Sequence, residues 1–218
     1  FHAETLLARV PRAKGPVLDK VRVLELTAST VSDSLRQRVR QGLCANLYVR
    51  YGINEAGPVS ISQPPEVFDV KGTIGKPLAG VQVEIVDAQY RPMPPGNTGL
   101  IRIRSPGLVH RYHANEEATR RSFRDGWFTP GDLGRFTPEG ELIYCGRADH
   151  MMIMNGMNIY PAEIERVLGG HPEVRDAAAM PIHHPVHQDV PICAVALRAV
   201  KHLIANRHQV ALSASAAQ

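Results

Sequence analysis

Two alternating segments, "VQVEIVD" (residues 81–87) and "LIRIRS" (residues 100–105), lie on either side of "PMPPGNTG" (residues 92–99). Apolar–polar alternation suits a strand with one buried face. Proline and glycine between two such runs force the chain to turn. The pattern predicts a β-hairpin and, with it, an antiparallel, barrel-like region. "TPEGELIYCGR" (residues 137–147) predicts another hairpin, turning at Pro138, Glu139 and Gly140.

Upstream the period changes. "VRVLEL" (residues 21–26) reads as a buried strand, and Ser32 as the cap of a helix on which Leu35, Val39 and Leu43 recur at helical spacing. "ANLYVRYG" follows as a second strand. Strand, helix and strand within about 30 residues make one α/β crossover unit. Residues 56–80 are rich in glycine and proline and read as loop. Residues 115–123 predict a short helix capped by Asn115, with acids in its first turn. Around Asp149 the composition shifts, because "HMMIMNGMNIYP" holds four of the six methionines. "PAEIERVLGG" (residues 161–170) predicts a helix opened by proline and ended by glycine. Two strands follow. The predicted fold class is α/β: a large α/β plus β-barrel-like part over residues 1–148, then a small α+β part over residues 149–218.

The 218-residue chain carries 25 Lys+Arg against 21 Asp+Glu, a net charge of +4. The excess is not gathered in blocks, so no nucleic-acid partner is expected. No run approaches the ~18 apolar residues of a membrane span. Cys44, Cys145 and Cys193 are too widely spaced for a disulfide framework or a zinc motif, and a cytoplasmic location is expected. The chain opens on Phe1 without a basic-then-apolar leader, and is expected to be a piece of something longer or a processed product.

Four loop clusters carry candidate chemistry. Residues 27–30, including Ala28 and Ser29, end a strand, where open α/β sheets bind ligands; a capped helix start explains the same residues. "YGINE" (residues 51–55) offers a Tyr51 face for a flat base, an Asn54 donor for a phosphate oxygen and a Glu55 carboxylate for a hard cation. In "GWFTPGDLG" (residues 126–134), Asp132 can accept from vicinal hydroxyls, or simply bond its own backbone. In "GRADHMMIMNGMNIYPAEIE" (residues 146–165), Arg147 can reach a sugar or phosphate oxygen, and Asn155-Gly156 permits a tight turn; a local ion pair and a plain hairpin are the bland alternatives. Lys76 lacks the context of a phosphate loop. Pro185 between His183 and His187 rules out a regular metal-binding helix.

In this order the four clusters resemble the adenylate-forming superfamily, which includes acyl-CoA synthetases, adenylation domains of nonribosomal peptide synthetases and luciferases. The resemblance runs from about Val21 to Leu197, and "NIYPAEIE" is similar to the acyl-CoA synthetase form. It implies a ligase that joins a carboxylic acid to ATP as an acyl-adenylate and passes the acyl group to coenzyme A. By matching position, Ala28, Ser29, Tyr51 and Gly52 would line the AMP pocket, with Tyr51 on the adenine. Asn54, where the family has Thr, would meet the α-phosphate. Glu55 would hold Mg2+, and with Asn54 would make the catalytic contacts. Asp132 and Arg147 would hold the ribose; Pro130 replaces a usual Thr. Asp149 would be the hinge between the large and small domains. Asn155 and Gly156 would line the coenzyme A tunnel, with Asn155 in place of a glycine.

Two parts of the family pattern have no counterpart: the Ser/Thr/Gly-rich phosphate loop, and the C-terminal catalytic lysine, for which Lys201 has the wrong position and neighbours. The expectation is a C-terminal fragment whose small domain is truncated, and which does not adenylate by itself. A non-catalytic AMP/ATP-binding module, a peptide-synthetase adenylation domain, and a remnant that docks a partner on the face of its absent upstream half are the alternatives.

Overall fold

A computed structural model describes residues 2–10, 15–155 and 157–198. The helix α1 (His2–Arg9) and strand β1 (Leu24–Leu26) lead into α2 (Asp33–Gly42) and β2 (Leu47–Ile53). Then come β3 (Gly57–Ser62), α3 (Glu66–Asp69), β4 (Thr73–Pro77), β5 (Gln82–Val86) and β6 (Gly99–Arg104). They are followed by α4 (Glu116–Ser122), β7 (Phe123–Arg124), β8 (Trp127–Phe128), β9 (Asp132–Phe136) and β10 (Leu142–Arg147). A single 3-10 turn, Ala148–His150, separates these from β11 (Met152–Met154), β12 (Met157–Ile159), α5 (Pro161–Gly169), β13 (Val174–His184) and β14 (Gln188–Leu197).

Ser32 begins α2 as its sequence demands: the residue is extended and its hydroxyl accepts from the Leu35 N–H at 3.2 Å. Such a cap is worth about 1 kcal/mol. Val39 and Leu43 turn inward to a cluster with Leu47, Val49 and Val67. Each such side chain contributes roughly 1.5–3 kcal/mol by burial. Arg36, on the same helix, is only 2% exposed. Its guanidinium donates to the carbonyls of Val31 (3.0 Å), Val67 (3.3 Å) and Thr73 (2.8 Å), tying α2 to α3 and β4. Burial pulls its pKa below the ordinary arginine value, and only partly buried Asp33 offsets this.

The crossover is present: β1 and β2 pair in parallel, Leu26 opposite Val49. Among the described residues every pairing from β2 onward is antiparallel, and one ten-stranded sheet runs β1-β2-β3-β4-β10-β9-β6-β8-β7, with β5 paired to β6. The predicted barrel-like region is therefore an open sheet; among the described residues no pairing closes it. The joint between its two halves is β4 on β10, with Leu142 opposite Gly75 and Ile143 opposite Thr73. Gly75 has φ +87°, and a Cβ there would lie 1.9 Å from the Ile61 carbonyl carbon, so only glycine lets β3 and β4 cross this closely.

Two expectations need correction. Residues 56–80 are not loop, since they contain β3, α3 and β4. The strand expected over residues 21–26 shrinks to Leu24–Leu26, because Val21 closes a turn onto the Leu18 carbonyl and Val23 is exposed. The two later hairpins, the Asn115-capped α4 and the Pro161-led α5 form as predicted. The last five elements make a four-stranded antiparallel sheet, β12-β11-β14-β13, with α5 against β13. Tyr160 and Ala148 pack beside Leu133, Ile143 and Cys145 of the larger sheet.

Candidate functional site

The ends of β2, β9 and β10 bring three of the expected residues into contact. Tyr51 on β2 donates its hydroxyl to Oδ2 of Asp132 at 2.5 Å. Asp132 opens β9 and is only 7% exposed. Its Oδ1 lies 3.5 Å from Nη1 of Arg147, the last residue of β10, which pairs with Asp132 in register. The same nitrogen donates to the Pro130 carbonyl at 3.0 Å. The other two guanidinium nitrogens form a fork onto Asp149, each at 3.1 Å. That bond pulls the Asp149 pKa down and raises that of Arg147. Gly131 sits beneath the fork with φ +86°, and a Cβ there would lie 3.2 Å from Arg147 Nη2.

Burial raises the Tyr51 pKa far above its ordinary value, and the charge and hydrogen bond of Asp132 add to the rise. Tyr144, tilted against Tyr51 with ring centroids 6.4 Å apart, is pushed up to about 12 by burial and then by Asp132. Two neutral phenols thus stand beside one carboxylate in the physiological range. A carboxylate offers about four lone-pair sites, and Tyr51, Tyr144 and Arg147 all face this one.

An open cleft of about 900 Å³ adjoins this cluster. Arg147, Asp149, Pro130 and Gly131 line it, as do Glu55 and Tyr112. Glu55 lies in the turn after β2 and accepts from the Tyr112 hydroxyl at 2.7 Å. Asn54, in the same turn, is exposed, and Gly52 marks the bulge where β2 turns toward β3. Ala28 and Ser29 are exposed beyond the end of β1. By the parallel register, Ala28 and Tyr51 are each two residues past the paired Leu26 and Val49; Ala28 has left β1, whereas Tyr51 stays in β2, paired with Ser60 of β3.

Asn155 belongs to a different contact. At φ +50° it turns the β11–β12 hairpin, and its Oδ1 lies 3.0 Å from Nδ1 of His187 in the β13–β14 turn. Gly156 and Lys201 lie outside the described residues. His184 and His187 stack with ring centroids 4.8 Å apart in that turn, and among the described residues no group of three or more His, Cys, Asp or Glu side chains could hold a metal ion. A magnesium ion held by one carboxylate and by substrate phosphates asks for less. Glu55 fits that role, because Tyr112 occupies Oε1 and no described residue donates to Oε2.

Sequence reasoning missed Tyr112 and Tyr144. Tyr144 falls on an alternating strand and looks like ordinary packing; no spacing rule links Tyr112 to a carboxylate 57 positions away.

A tyrosine near a strand end, a buried aspartate and a forked arginine thus meet beside an open cleft of an α/β protein. The chain belongs to the AMP-binding enzyme family, whose pattern matches residues 2–113. It is 32% identical over 179 residues to an indoleacetate–CoA ligase of Aromatoleum aromaticum, covering 81% of this chain and 34% of that protein. It is 34% identical over 142 residues to a 2-succinylbenzoate–CoA ligase of Bacillus licheniformis, covering 65% of this chain and 30% of that protein. The fold is shared with o-succinylbenzoate CoA synthetase of Bacillus subtilis, solved with its acyl-adenylate intermediate (TM-score 0.77, 27% identity, 90% of this chain and 40% of that chain). An amide bond synthetase of Marinactinospora thermotolerans is equally similar (TM-score 0.77, 28% identity, 83% and 37%). The chain spans about a third of the length of these curated relatives. No helix among the described residues is long and apolar enough to cross a membrane.

Proposed function

We propose that this chain supplies the AMP-holding face of an ATP-dependent acid–thiol ligase of the acyl-CoA synthetase type. One observation carries the reading: Asp132 touches both Tyr51 and Arg147, each from a different strand, and Arg147 lines an open cleft. Asp132 accepts from the ribose hydroxyls. Arg147, fixed by Asp149 and the Pro130 carbonyl, supports the same sugar, and the Tyr51 ring, with Ala28, Ser29 and Gly52, borders the base. Asn54 is the donor toward the α-phosphate. Glu55 would hold Mg2+, which neutralises phosphate charge and so lowers the barrier to in-line attack by a carboxylate. Asp149 is the pivot between the large and small parts, and Asn155 would border coenzyme A.

The chain alone binds nucleotide without adenylating. No lysine among the described residues lines the cleft, and Lys76 is engaged with Glu141 at 3.8 Å. The charge that develops at the α-phosphate therefore lacks a compact cationic partner. Calorimetry with AMP on the 218-residue chain tests the reading: saturable binding that Asp132→Ala weakens by about 30-fold or more is expected, and no binding would overturn it. Carboxylate-dependent pyrophosphate exchange by the chain alone would overturn the second part.

A further inference from the structure

The connection between β6 and α4 is fastened to the Glu55 turn at three points. Ser105 Oγ donates to the Ala56 carbonyl at 2.8 Å, Val109 N–H donates to the Glu55 carbonyl at 2.9 Å, and the Tyr112 hydroxyl reaches Glu55 Oε1. Tyr112 is itself fixed from both ends. Its N–H donates to Thr119 Oγ1 at 3.0 Å, and that hydroxyl donates to the carbonyl of the α4 cap Asn115 at 2.7 Å. Its ring meets Phe123 edge-on at 5.3 Å, and Phe123 lies 4.8 Å from the fully buried Phe128. A packed line of aromatics thus runs from the core to one carboxylate oxygen in the cleft.

A glutamate in a turn ordinarily samples several rotamers, and fixing it costs free energy when a ligand arrives. Here that ordering is done before binding. We propose that Tyr112 is the positioning residue that holds Glu55 by Oε1, so that Oε2 meets the phosphate-bound cation of a nucleoside triphosphate. The inference rests on the reading of Glu55 given above. In this role Tyr112, which also lines the cleft, acts through the carboxylate.

The test compares AMP and ATP binding to the 218-residue chain by calorimetry, with and without MgCl2, in wild type, Tyr112→Phe, Glu55→Gln and the double variant. Tyr112→Phe keeps the ring and its packing and removes only the hydroxyl. Its AMP affinity is expected to stay within about twofold of wild type, while the gain in ATP affinity from magnesium falls roughly 3- to 10-fold, the scale of one net hydrogen bond. Glu55→Gln is expected to lose that gain, and the double variant to match Glu55→Gln. A Tyr112→Phe variant with the full magnesium gain, while Glu55→Gln loses it, would overturn the role of Tyr112 alone. Equal losses for AMP and ATP in Tyr112→Phe would make the residue merely structural and also overturn it. A wild type with no magnesium gain, or with no nucleotide binding, would overturn the reading of Glu55 and this inference with it.

Discussion

The Tyr51 hydroxyl and Asp132 Oδ2 stand 2.5 Å apart although 81 positions separate the residues in sequence. The bond has two consequences. It sets the angle of the carboxylate that would meet a ribose, and it stakes part of the stability of the sheet on a neutral phenol.

Replacing Asp132 by alanine removes both acceptors of the pocket. Each hydrogen bond to a charged acceptor is worth about 1.5–3 kcal/mol, so AMP affinity should fall by about 30-fold or more. Tyr51→Phe keeps the aromatic face and should change AMP affinity by less than about threefold, whereas Tyr51→Ala should cost about tenfold. Calorimetric titration of the three variants separates the ring from the hydroxyl.

Alkaline pH should loosen this region. The folded pKa of Tyr144 is raised from 10.0 to about 12, and that of Tyr51 is raised as well. An acid whose pKa is higher folded than unfolded favours folding fully below the unfolded value, and the contribution is lost as pH climbs through the folded one. Urea midpoints should therefore decline between pH 10 and 12. The decline should be shallower in Tyr144→Phe, with tyrosinate absorbance following the transition.

Arg36→Ala should be among the most damaging substitutions in the α2 region. It strands the carbonyls of Val31, Val67 and Thr73 in a site that is 2% exposed. The expected loss is about 3 kcal/mol or more, at about 1–3 kcal/mol for each buried polar group left unpaired, read as a lower denaturation midpoint with an unchanged slope.

Gly131→Ala places a methyl 3.2 Å from Arg147 Nη2 at a φ of +86°. Backbone strain costs roughly 1 kcal/mol of stability. The displaced fork should lower AMP affinity by about tenfold, a larger effect than the change in stability. Thermal denaturation and calorimetry on the same sample check the two sides.

Much of this architecture was legible where local rules act alone. The Ser32 and Asn115 caps, the β5–β6 hairpin, the turn at Pro138–Gly140 and Pro161 at the start of α5 each follow from neighbours in sequence. The strand β3 was hidden because Val59, Ser60 and Ser62 are all buried, so polarity does not alternate with exposure, and its Pro58 suggests loop. The strand β4 was hidden by Gly75, whose value lies in an approach to Ile61 that only the assembled sheet requires. Motif order singled out Tyr51, Asp132, Arg147 and Asp149, and the fold brings them together. It could not supply Tyr112, because that contact depends on how the β6–α4 connection folds back over the Glu55 turn.

The joint of β4 on β10 lies between Tyr51 on one side and Asp132 and Arg147 on the other. On the proposed reading, nucleotide binding therefore cannot precede the stitching of strands more than 60 residues apart in sequence. Distant pairings close slowly. During refolding from denaturant, helical signal should return first, and the capacity to retain AMP should emerge with the slowest phase.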